Sequence, residues 1–296
     1  MEWITSIKKA IKYMDEHLLE AKCAENVANE VAISPFYLQK GFKIMTGYSV
    51  TEYIRNRRLY LAALDVIADK EKVIDLAYKY GYETPESFTK AFARFHGVSP
   101  MQLRKDSSKI KVFLPLKIKI TIQGGNDMDY VVEKMKSFKL IGFEREFTND
   151  ESYQEIPKFW DEFYQKYRKL LMEKGKPNGK VEETICNCCV GEYGVCIDDT
   201  GKEGKFRYLI AGSYTEGEVP EGMSVYEFPG LEWAKFSCKG PMPEALQKIN
   251  TKIFQEWLPG NEEYEIAMGA NIEWYSKGDT TDVDYESAIW LPIKRK

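Results

Sequence analysis

Two segments of the chain carry polar side chains that could bond to the edges of DNA bases. The first includes Gln39 and Lys40, and the second, fifty positions later, includes Glu86 and Lys90. Gln can bond to adenine N6 and N7, Lys can donate to guanine O6 and N7, and Glu can accept from cytosine N4. Side chains of these types on one face of a helix could therefore read base sequence.

The two segments are copies of one design. Residues 27–55 read VANEVAISPFYLQKGFKIMTGYSVTEYIR, and residues 76–105 read LAYKYGYETPESFTKAFARFHGVSPMQLRK. Each copy has a short helical stretch, a turn, and a second stretch that opens with a good N-cap, Ser34 or Thr84, followed by proline. This order predicts a helix-turn-helix that is present twice on one polypeptide.

The second helix of each copy has an outward face that we expect to meet DNA. The apolar positions Leu38 and Phe42 are predicted to face inward in the first copy, as are Phe88 and Phe92 in the second. A merely solvated helix face would show the same residue types, but two copies in register favour DNA reading. The predicted DNA-binding set is Ser34, Phe36, Tyr37, Gln39, Lys40, Lys43, Glu86, Ser87, Thr89, Lys90 and Arg94.

Residues 1–105 resemble the DNA-binding domain of the AraC/XylS family of transcriptional regulators. The segment IDLAYKYGYETPESFTKAFARFHGVSPMQLR carries that family's second-unit signature almost position for position. The resemblance implies two recognition helices in successive major-groove segments, about 34 Å apart on one face of the duplex. It assigns base reading to Phe36, Gln39, Lys40 and Lys43 in the first helix and to Glu86, Ser87 and Lys90 in the second.

Glu86 is a departure within this pattern. Its carboxylate would repel phosphate and could accept only from cytosine N4. We therefore expect the first helix-turn-helix to contribute more of the sequence discrimination than the second. A base-substitution scan of the operator tests this expectation, and stronger discrimination under the second helix would contradict it.

The back half has a mixed pattern of strands and helices. The run YVVEKMKSFKLIGFERE indicates a strand pair, and YQEIPKFWDEFYQKYRKLLMEK indicates an amphipathic helix. Further strand-like runs follow, then a second helix, MPEALQKINTKIFQEWL, and two more strands. A strand–helix–strands order that occurs twice predicts an α+β domain with duplicated halves behind an all-α double helix-turn-helix domain.

Glu273 is the candidate ligand-binding residue of the back half. It lies in the strand-like run NIEWY, where alternation puts Glu273 and Tyr275 on one face and Ile272 and Trp274 on the other. A carboxylate among aromatic faces suits a bulky, poorly hydrated cation. From the residues alone, pairing of Glu273 with Lys or Arg, or exposure to water, is equally consistent with the pattern.

The back half also resembles the GyrI-like effector-binding domain that follows this DNA-binding module in Rob-like regulators. The matching segments include IPKFW, LEWAKFSCKGPMPEALQKI, NIEWYSKGD and YESAIWLPI. The resemblance implies a cleft between the duplicated halves with a buried Glu that contacts cationic or lipophilic ligands. The predicted ligand-binding set is Glu273, Glu286, Tyr275, Trp290, Trp160 and Trp233.

The composition sets the remaining expectations. Residues 1–105 contain 16 Lys and Arg against 13 Asp and Glu, whereas the rest of the 296-residue chain is acidic, and only the front half suits a phosphate backbone. The sequence shows no export signal and no long apolar run, so we expect a cytoplasmic protein without membrane contact. The cysteines near residue 188 do not have zinc-site spacing, and we expect no metal and no cofactor. The predicted domains are 1–106 for DNA binding, a linker at 107–128, and 129–296 for effector binding.

Together these patterns predict a transcriptional regulator with no catalytic residues. Its partners would be double-stranded DNA and a small-molecule effector that changes DNA binding or the recruitment of RNA polymerase, and paired reading units on one chain favour a monomer. One alternative is a hydrolase that uses Glu273 as a base with Cys238 or a hydroxyl as its partner. The other is a ligand-sequestering module whose DNA binding is unregulated.

Overall fold

The computed structural model of the chain divides into two units. One unit contains Met1–Trp3, Ser34–Met45 and Gly124–Lys296, and the other contains Ile4–Ile33 and Thr46–Gln123. The first predicted helix-turn-helix therefore contributes its second helix to the unit that holds the back half. The structure describes residues 2–20, 24–118, 128–148, 151–171, 173, 175–200 and 204–296.

The front half is helical, as the sequence predicts. The first helix-turn-helix has its two helices at α2 and α3, the second at α5 and α6, and the 19-residue helix α4 lies between them in sequence. A 3₁₀ turn, Ser107–Lys109, follows the last of these helices. The helices are α1 (Glu2–Glu16), α2 (Ala24–Val31), α3 (Pro35–Thr46), α4 (Val50–Ala68), α5 (Val73–Lys79), α6 (Pro85–His96) and α7 (Pro100–Lys105).

The repeat is visible in the capping of the helix that follows each recognition helix. Ser49 Oγ accepts from the Glu52 backbone N–H at 3.1 Å, and the Glu52 carboxylate accepts from the Ser49 N–H at 2.8 Å. Ser99 and Gln102 form the same reciprocal pair fifty positions later. Such a capping box satisfies two backbone donors that a helix terminus otherwise leaves open. It fixes where α4 and α7 begin, and so where each recognition helix must end.

The second helix-turn-helix packs around a core of small and aromatic side chains. Phe88 and Phe92, both predicted to face inward, are fully buried together with Leu59 and Leu103. Thr84 caps α6, since its hydroxyl accepts from the Ser87 N–H at 3.1 Å. The outward face of α6 is thereby held in one orientation.

His96 ends α6 as a buried hydrogen-bonded residue. One ring nitrogen, Nδ1, accepts from the Lys111 N–H at 3.1 Å, so the other, Nε2, carries the proton and donates to the Leu59 carbonyl at 3.1 Å. Burial of the ring lowers the pKa of His96, and the nearby Lys111 charge adds to this effect. A second proton would need Nδ1, which the Lys111 N–H already occupies.

We expect acidification to destabilise this helical unit through His96. Its pKa is lower in the folded state than in the unfolded chain, where it is about 6.5. The stabilisation is therefore complete above about pH 6.5 and is lost as the pH falls towards the folded-state pKa. Urea denaturation of the wild type and of His96→Gln between pH 7.5 and 5 measures the effect. Gln can make both hydrogen bonds without titrating, so an equally steep pH dependence in the variant would contradict the assignment.

The linker stretch VFLPLKIKITI has the residue pattern of a strand, but no strand is formed in the part of it that the structure describes. Residues 111–118 are irregular, and the remainder of the stretch, 119–122, lies outside the described residues. The backbone of this stretch bonds to side chains instead of a neighbouring strand. Arg57 donates to the Phe113 carbonyl at 2.6 Å, and the Leu116 N–H donates to the Tyr53 hydroxyl at 3.4 Å.

Within the described residues, the back half forms one nine-stranded antiparallel sheet. The strand order is β1-β6-β9-β8-β3-β4-β2-β5, with β7 paired to β9. The sheet has two matching halves that meet at β8 and β3. Read outward from this central pair, one half is β8, β9, β6 and β1, and the other is β3, β4, β2 and β5. This arrangement confirms the predicted duplication of the fold. The strands are β1 (Tyr130–Met135), β2 (Phe138–Thr148), β3 (Tyr193–Ile197), β4 (Lys205–Tyr214), β5 (Ser224–Phe228), β6 (Leu231–Lys239), β7 (Tyr264–Ile266), β8 (Ala270–Tyr275) and β9 (Glu286–Arg295).

The predicted pairing of the first two strands with each other is wrong. Strand β2 bonds to β4 along one edge and to β5 along the other, so it has no free edge for β1. Strand β1 pairs with β6 instead. The two predicted helices are present as α8 (Ser152–Leu171) and α10 (Glu244–Lys252), which continues through a π-helical turn, Ile253–Trp257, into α11 (Leu258–Gly260). Helix α9 (Lys180–Cys188) was not indicated by the sequence patterns.

Candidate functional site

The central strands of the sheet hold a carboxylate that accepts two hydrogen bonds from tyrosines. Glu273 Oε2 accepts from the Tyr275 hydroxyl at 2.8 Å and from the Tyr208 hydroxyl at 3.3 Å. Trp160 Nε1, on α8, donates to the same Tyr208 oxygen at 2.9 Å. Neither Lys nor Arg forms an ion pair with Glu273 among the residues that the structure describes. The alternative of Lys or Arg pairing is thus not realised there.

Aromatic rings enclose this carboxylate. The Trp160 ring meets Tyr275 edge-on, with centroids 5.4 Å apart, and stacks on Tyr164 at 5.6 Å. Glycine is required opposite Glu273, because a Cβ on Gly194 would lie 2.2 Å from the Tyr208 oxygen and 3.1 Å from Glu273 Oε2. The tyrosine and carboxylate groups thus approach each other over a strand that has no side chain at that position.

The tyrosines of the network remain protonated at neutral pH. Burial raises the pKa of Tyr208 and of Tyr275, and the adjacent Glu273 charge raises both further. A protonated hydroxyl is a donor, which fixes Glu273 as the acceptor in both hydrogen bonds. The negative charge of the site is therefore held on one half-buried carboxylate.

Three of the six predicted ligand-binding residues lie together and three do not. Tyr275 contacts both Glu273 and Trp160, so these three residues share one site. That they bind a ligand remains a prediction.

Trp233, Trp290 and Glu286 lie away from Glu273, contrary to the expectation that they share its site. Trp233 is fully buried in the core with Phe228, their ring centroids 5.4 Å apart. Trp290 lies directly opposite Ile272 on the neighbouring strand, so it shares the face that points away from Glu273. Glu286 is exposed at the start of β9 and forms an ion pair with Lys239 at 3.1 Å.

The same sheet face extends from Glu273 to a buried amide and a buried thiol. Asn271 is two residues before Glu273 on β8 and is fully buried, and Cys196 lies directly opposite it on β3. Tyr208 lies opposite Cys196 on β4. The sequence analysis missed Tyr208, Gly194 and Asn271 as site residues. An isolated glycine within a strand was the available signal for Gly194, since it marks close approach.

Helix α3 packs on this face of the sheet through two aromatic residues. The Phe36 ring lies 5.5 Å from the Phe206 ring of β4, centroid to centroid. The Tyr37 hydroxyl donates to the Ala270 carbonyl at the start of β8, and its ring lies 6.2 Å from that of Phe254. Burial raises the pKa of Tyr37, so its hydroxyl stays a donor.

Polar contacts also attach α3 to the sheet. The Phe36 N–H, in the first turn, donates to Asp198 Oδ2 at 3.0 Å, which places a carboxylate at the positive end of the helix dipole. Lys40 Nζ donates to Asn271 Oδ1 at 3.4 Å and lies 5.5 Å from the centroid of the Phe36 ring. Gly41 leaves room for Trp3 and Phe254, because a Cβ there would lie 2.3 Å from the Trp3 ring.

The predicted exposure of the first recognition helix is therefore wrong for this conformation. Phe36, Tyr37 and Gln39 are buried, with 4%, 1% and 7% of their surface exposed, and Ser34, Lys40 and Lys43 are half-buried. Contacts with strands far away in sequence cover a face that the helical pattern assigns to solvent. In α6, by contrast, Glu86, Ser87, Lys90 and Arg94 are exposed and Thr89 is half-buried. A role of either set in DNA binding stays a prediction.

Cys238, the thiol that the hydrolase alternative requires, is not an activated nucleophile. Cys238 Sγ lies 3.2 Å from the Ser287 hydroxyl, on strands β6 and β9. Burial raises the pKa of Cys238, which disfavours the thiolate needed for attack. This cysteine is a poor partner for Glu273 in catalysis.

Comparison with known proteins places this architecture in a family. The sequence model of the integron-associated effector binding protein matches residues 132–293, more than half of the chain. The chain belongs to this family. A helix-turn-helix domain model matches residues 27–106, which cover both helix-turn-helix units. The chain is thus an AraC-type DNA-binding regulator with a GyrI-like effector-binding domain.

A regulatory protein and a transposon protein are among the relatives of this chain. The regulatory protein SoxS of Salmonella typhimurium is 33% identical over 98 residues, which are 33% of this chain and 92% of SoxS. The transposon Tn10 TetD protein of Escherichia coli is 31% identical over 102 residues, which are 34% of this chain and 74% of TetD. These matches cover about one third of the chain.

A solved structure described as SAV2435 bound to tetraphenylphosphonium is similar to this chain. It is 24% identical, covers 56% of this chain and 94% of its own, and has a TM-score of 0.46. No helix among the described residues is long and apolar enough to cross a membrane.

Proposed function

We propose that this regulator senses a bulky, poorly hydrated organic cation at Glu273. The observation that carries the proposal is the Glu273 carboxylate, which accepts from Tyr208 and Tyr275 and has no Lys or Arg partner among the described residues. A half-buried charge is costly unless it is paired, and two neutral hydroxyls only partly offset that cost. A cationic ligand would complete the site.

The aromatic walls favour an organic over a hydrated inorganic cation. The rings of Trp160, Tyr164 and Tyr275 offer faces and edges that attract a diffuse positive charge. Calcium takes six to eight oxygen ligands, and one carboxylate with two hydroxyls supplies fewer than that number. The site therefore selects for a charge that is already surrounded by apolar groups.

The proposed output is sequence-specific DNA binding through α3 and α6. Exposed Lys90 and Arg94 on α6 can meet phosphates and base edges, and Glu86 on the same helix restricts the bases that are tolerated. Effector binding changes this output only if the two conformations of the chain bind the effector with different affinities.

Tryptophan-fluorescence titration of the full chain with tetraphenylphosphonium tests the effector site. This probe carries one positive charge within four phenyl rings, and Trp160 reports from the site itself. We expect saturable quenching in the wild type and, in Glu273→Gln, a Kd raised by about tenfold or more, since one lost charge interaction of about 1.4 kcal/mol corresponds to that factor.

The matched control is Glu286→Gln, which makes the same chemical change at an exposed residue paired with Lys239. Its Kd should equal that of the wild type. Equal weakening in both variants would attribute binding to general surface charge, and an unchanged Kd in Glu273→Gln would remove Glu273 from the site.

A further inference from the structure

We propose that helix α3 is an internal ligand of the sheet face around Asn271 and Glu273, which we call the effector cleft. A bulky aromatic cation then frees the first recognition helix by displacing it. The inference rests on the proposed effector site at Glu273. It makes one helix serve two exclusive purposes, since the side chains predicted to read DNA are those that cover the sheet.

Helix α3 lies next to the proposed effector site on β8. Lys40 and Tyr37 bind Asn271 and Ala270, and Glu273 is two residues further along the same strand. Alternate residues on one strand face are about 6.6 Å apart, which is less than the width of a tetraaryl cation. Cys196 lies opposite Asn271, and burial raises the pKa of its thiol, which the Lys40 ammonium lowers and the Glu273 carboxylate raises. A large ligand centred at Glu273 therefore overlaps the space that α3 occupies.

The second support is chemical likeness. Helix α3 offers the cleft two aromatic rings, Phe36 and Tyr37, and one ammonium group, Lys40, which lies 5.5 Å from the Phe36 centroid. Aromatic surface next to a single positive charge is also the composition of the proposed effector class. The sheet face that accepts one accepts the other for the same reasons of apolar contact and charge.

The third support is that the docking is incomplete. Gln39 Nε2 and Asn271 Nδ2 are buried and have no hydrogen-bond partner among the described residues. A buried donor without an acceptor forfeits the hydrogen bonds that it makes in water, so the docked state is weakened at its centre. Gln39 can satisfy that donor on adenine once α3 leaves the sheet. The contact is thus built to be reversible.

The effector should increase DNA binding, because α3 cannot stay docked on the sheet while the ligand is bound there. A ligand that binds only when α3 is undocked shifts the chain towards the state that exposes Gln39 and Lys40. The ligand then raises the affinity of the chain for DNA by the same factor by which DNA raises the affinity of the chain for the ligand. The ligand must reach from Glu273 to Asn271. A small cation that fits beside Glu273 alone would bind without moving α3.

Hydrogen–deuterium exchange of the full chain measures the release of α3. At saturating tetraphenylphosphonium, with saturation scored by fluorescence, we expect the amides of residues 36–45 to exchange about tenfold faster or more. The amides of α6 serve as an internal reference and should not change. Unchanged or slower exchange in α3, while the cation is bound, would overturn the inference and leave the effector site standing.

A second arm weakens the docking from the sheet side. Asp198→Asn keeps the shape of the side chain but removes the charge at the start of α3, whereas Asp199→Asn removes a neighbouring charge that pairs with Arg207 instead. We expect Asp198→Asn alone to speed α3 exchange by about two- to fivefold without ligand. It should tighten tetraphenylphosphonium binding by a similar factor.

The two arms separate the possible failures. Faster α3 exchange in Asp198→Asn with no gain in cation affinity would show that α3 and the cation do not compete, which overturns the inference. Binding in Asp198→Asn but not in the wild type would support it, since the internal ligand would then have been too strong to displace. Failure of both proteins to bind the cation would remove the proposed function and the inference together.

Discussion

Replacing Lys40 with alanine is expected to weaken binding to a specific operator by about tenfold or more when the effector is bound and to have little effect when it is absent. A side chain that bonds to a base edge contributes about 1–3 kcal/mol to discrimination. With α3 docked on the sheet, Lys40 donates to Asn271 and is not available to DNA. Its contribution to operator binding therefore depends on the state of the cleft.

Lys90→Ala is the matched variant in the second recognition helix. Lys90 is exposed on α6, so its loss should weaken binding in both states. Fluorescence anisotropy can measure both variants, with and without tetraphenylphosphonium, on a duplex selected from a random pool by the effector-saturated chain. Equal losses for Lys40→Ala in the two states would contradict the coupling of α3 to the cleft.

Replacing Asp15 with asparagine is expected to destabilise the helical unit by about 3 kcal/mol, or about 12 °C in Tm. Asp15 joins α1 to α4, since it accepts from the Arg57 guanidinium at 2.7 Å and from the Tyr53 hydroxyl at 2.8 Å. The Arg57 side chain is only 8% exposed. Without the carboxylate, a guanidinium would stay buried and partly unpaired, which costs more than the pair itself contributes.

Glu16→Gln is the control for this stability change. Glu16 pairs with Lys12 at 3.7 Å on the exposed side of the same helix, and such pairs contribute little. Urea denaturation followed by circular dichroism should separate the two variants clearly. Similar small losses in both would mean that solvent reaches Arg57 and that α1 is not fastened to α4 by this charge.

Local patterns predicted the elements and the duplication well. The N-caps Ser34 and Thr84 and the proline after each cap mark helix starts in the sequence, and the structure has them at those positions. Alternation in NIEWY put Glu273 and Tyr275 on one face, and the two side chains are hydrogen-bonded. These features depend on neighbours within one helix turn or one strand, so the sequence contains the information directly.

Features that depend on distant strands were not predictable in this way. Alternation tells which residues share a face of one strand, but not which face of the sheet borders the cleft. The resemblance to the GyrI-like domain put Trp233 and Trp290 in the ligand-binding set, whereas Trp233 lies in the core and Trp290 lies on the face that points away from Glu273. The Tyr37 hydroxyl donates to the carbonyl of Ala270, a residue 233 positions later, and no local pattern predicts such a contact.

Helix α6 remains open to solvent while α3 is covered, and this asymmetry bears on how the protein would search a genome. On the proposed scheme, the effector-free chain has one reading helix and makes few phosphate contacts, so it binds weakly and can slide or hop. Once freed, α3 binds a neighbouring groove segment at the high effective concentration of a tethered partner. The effector would then set the residence time at a site that the chain has already visited.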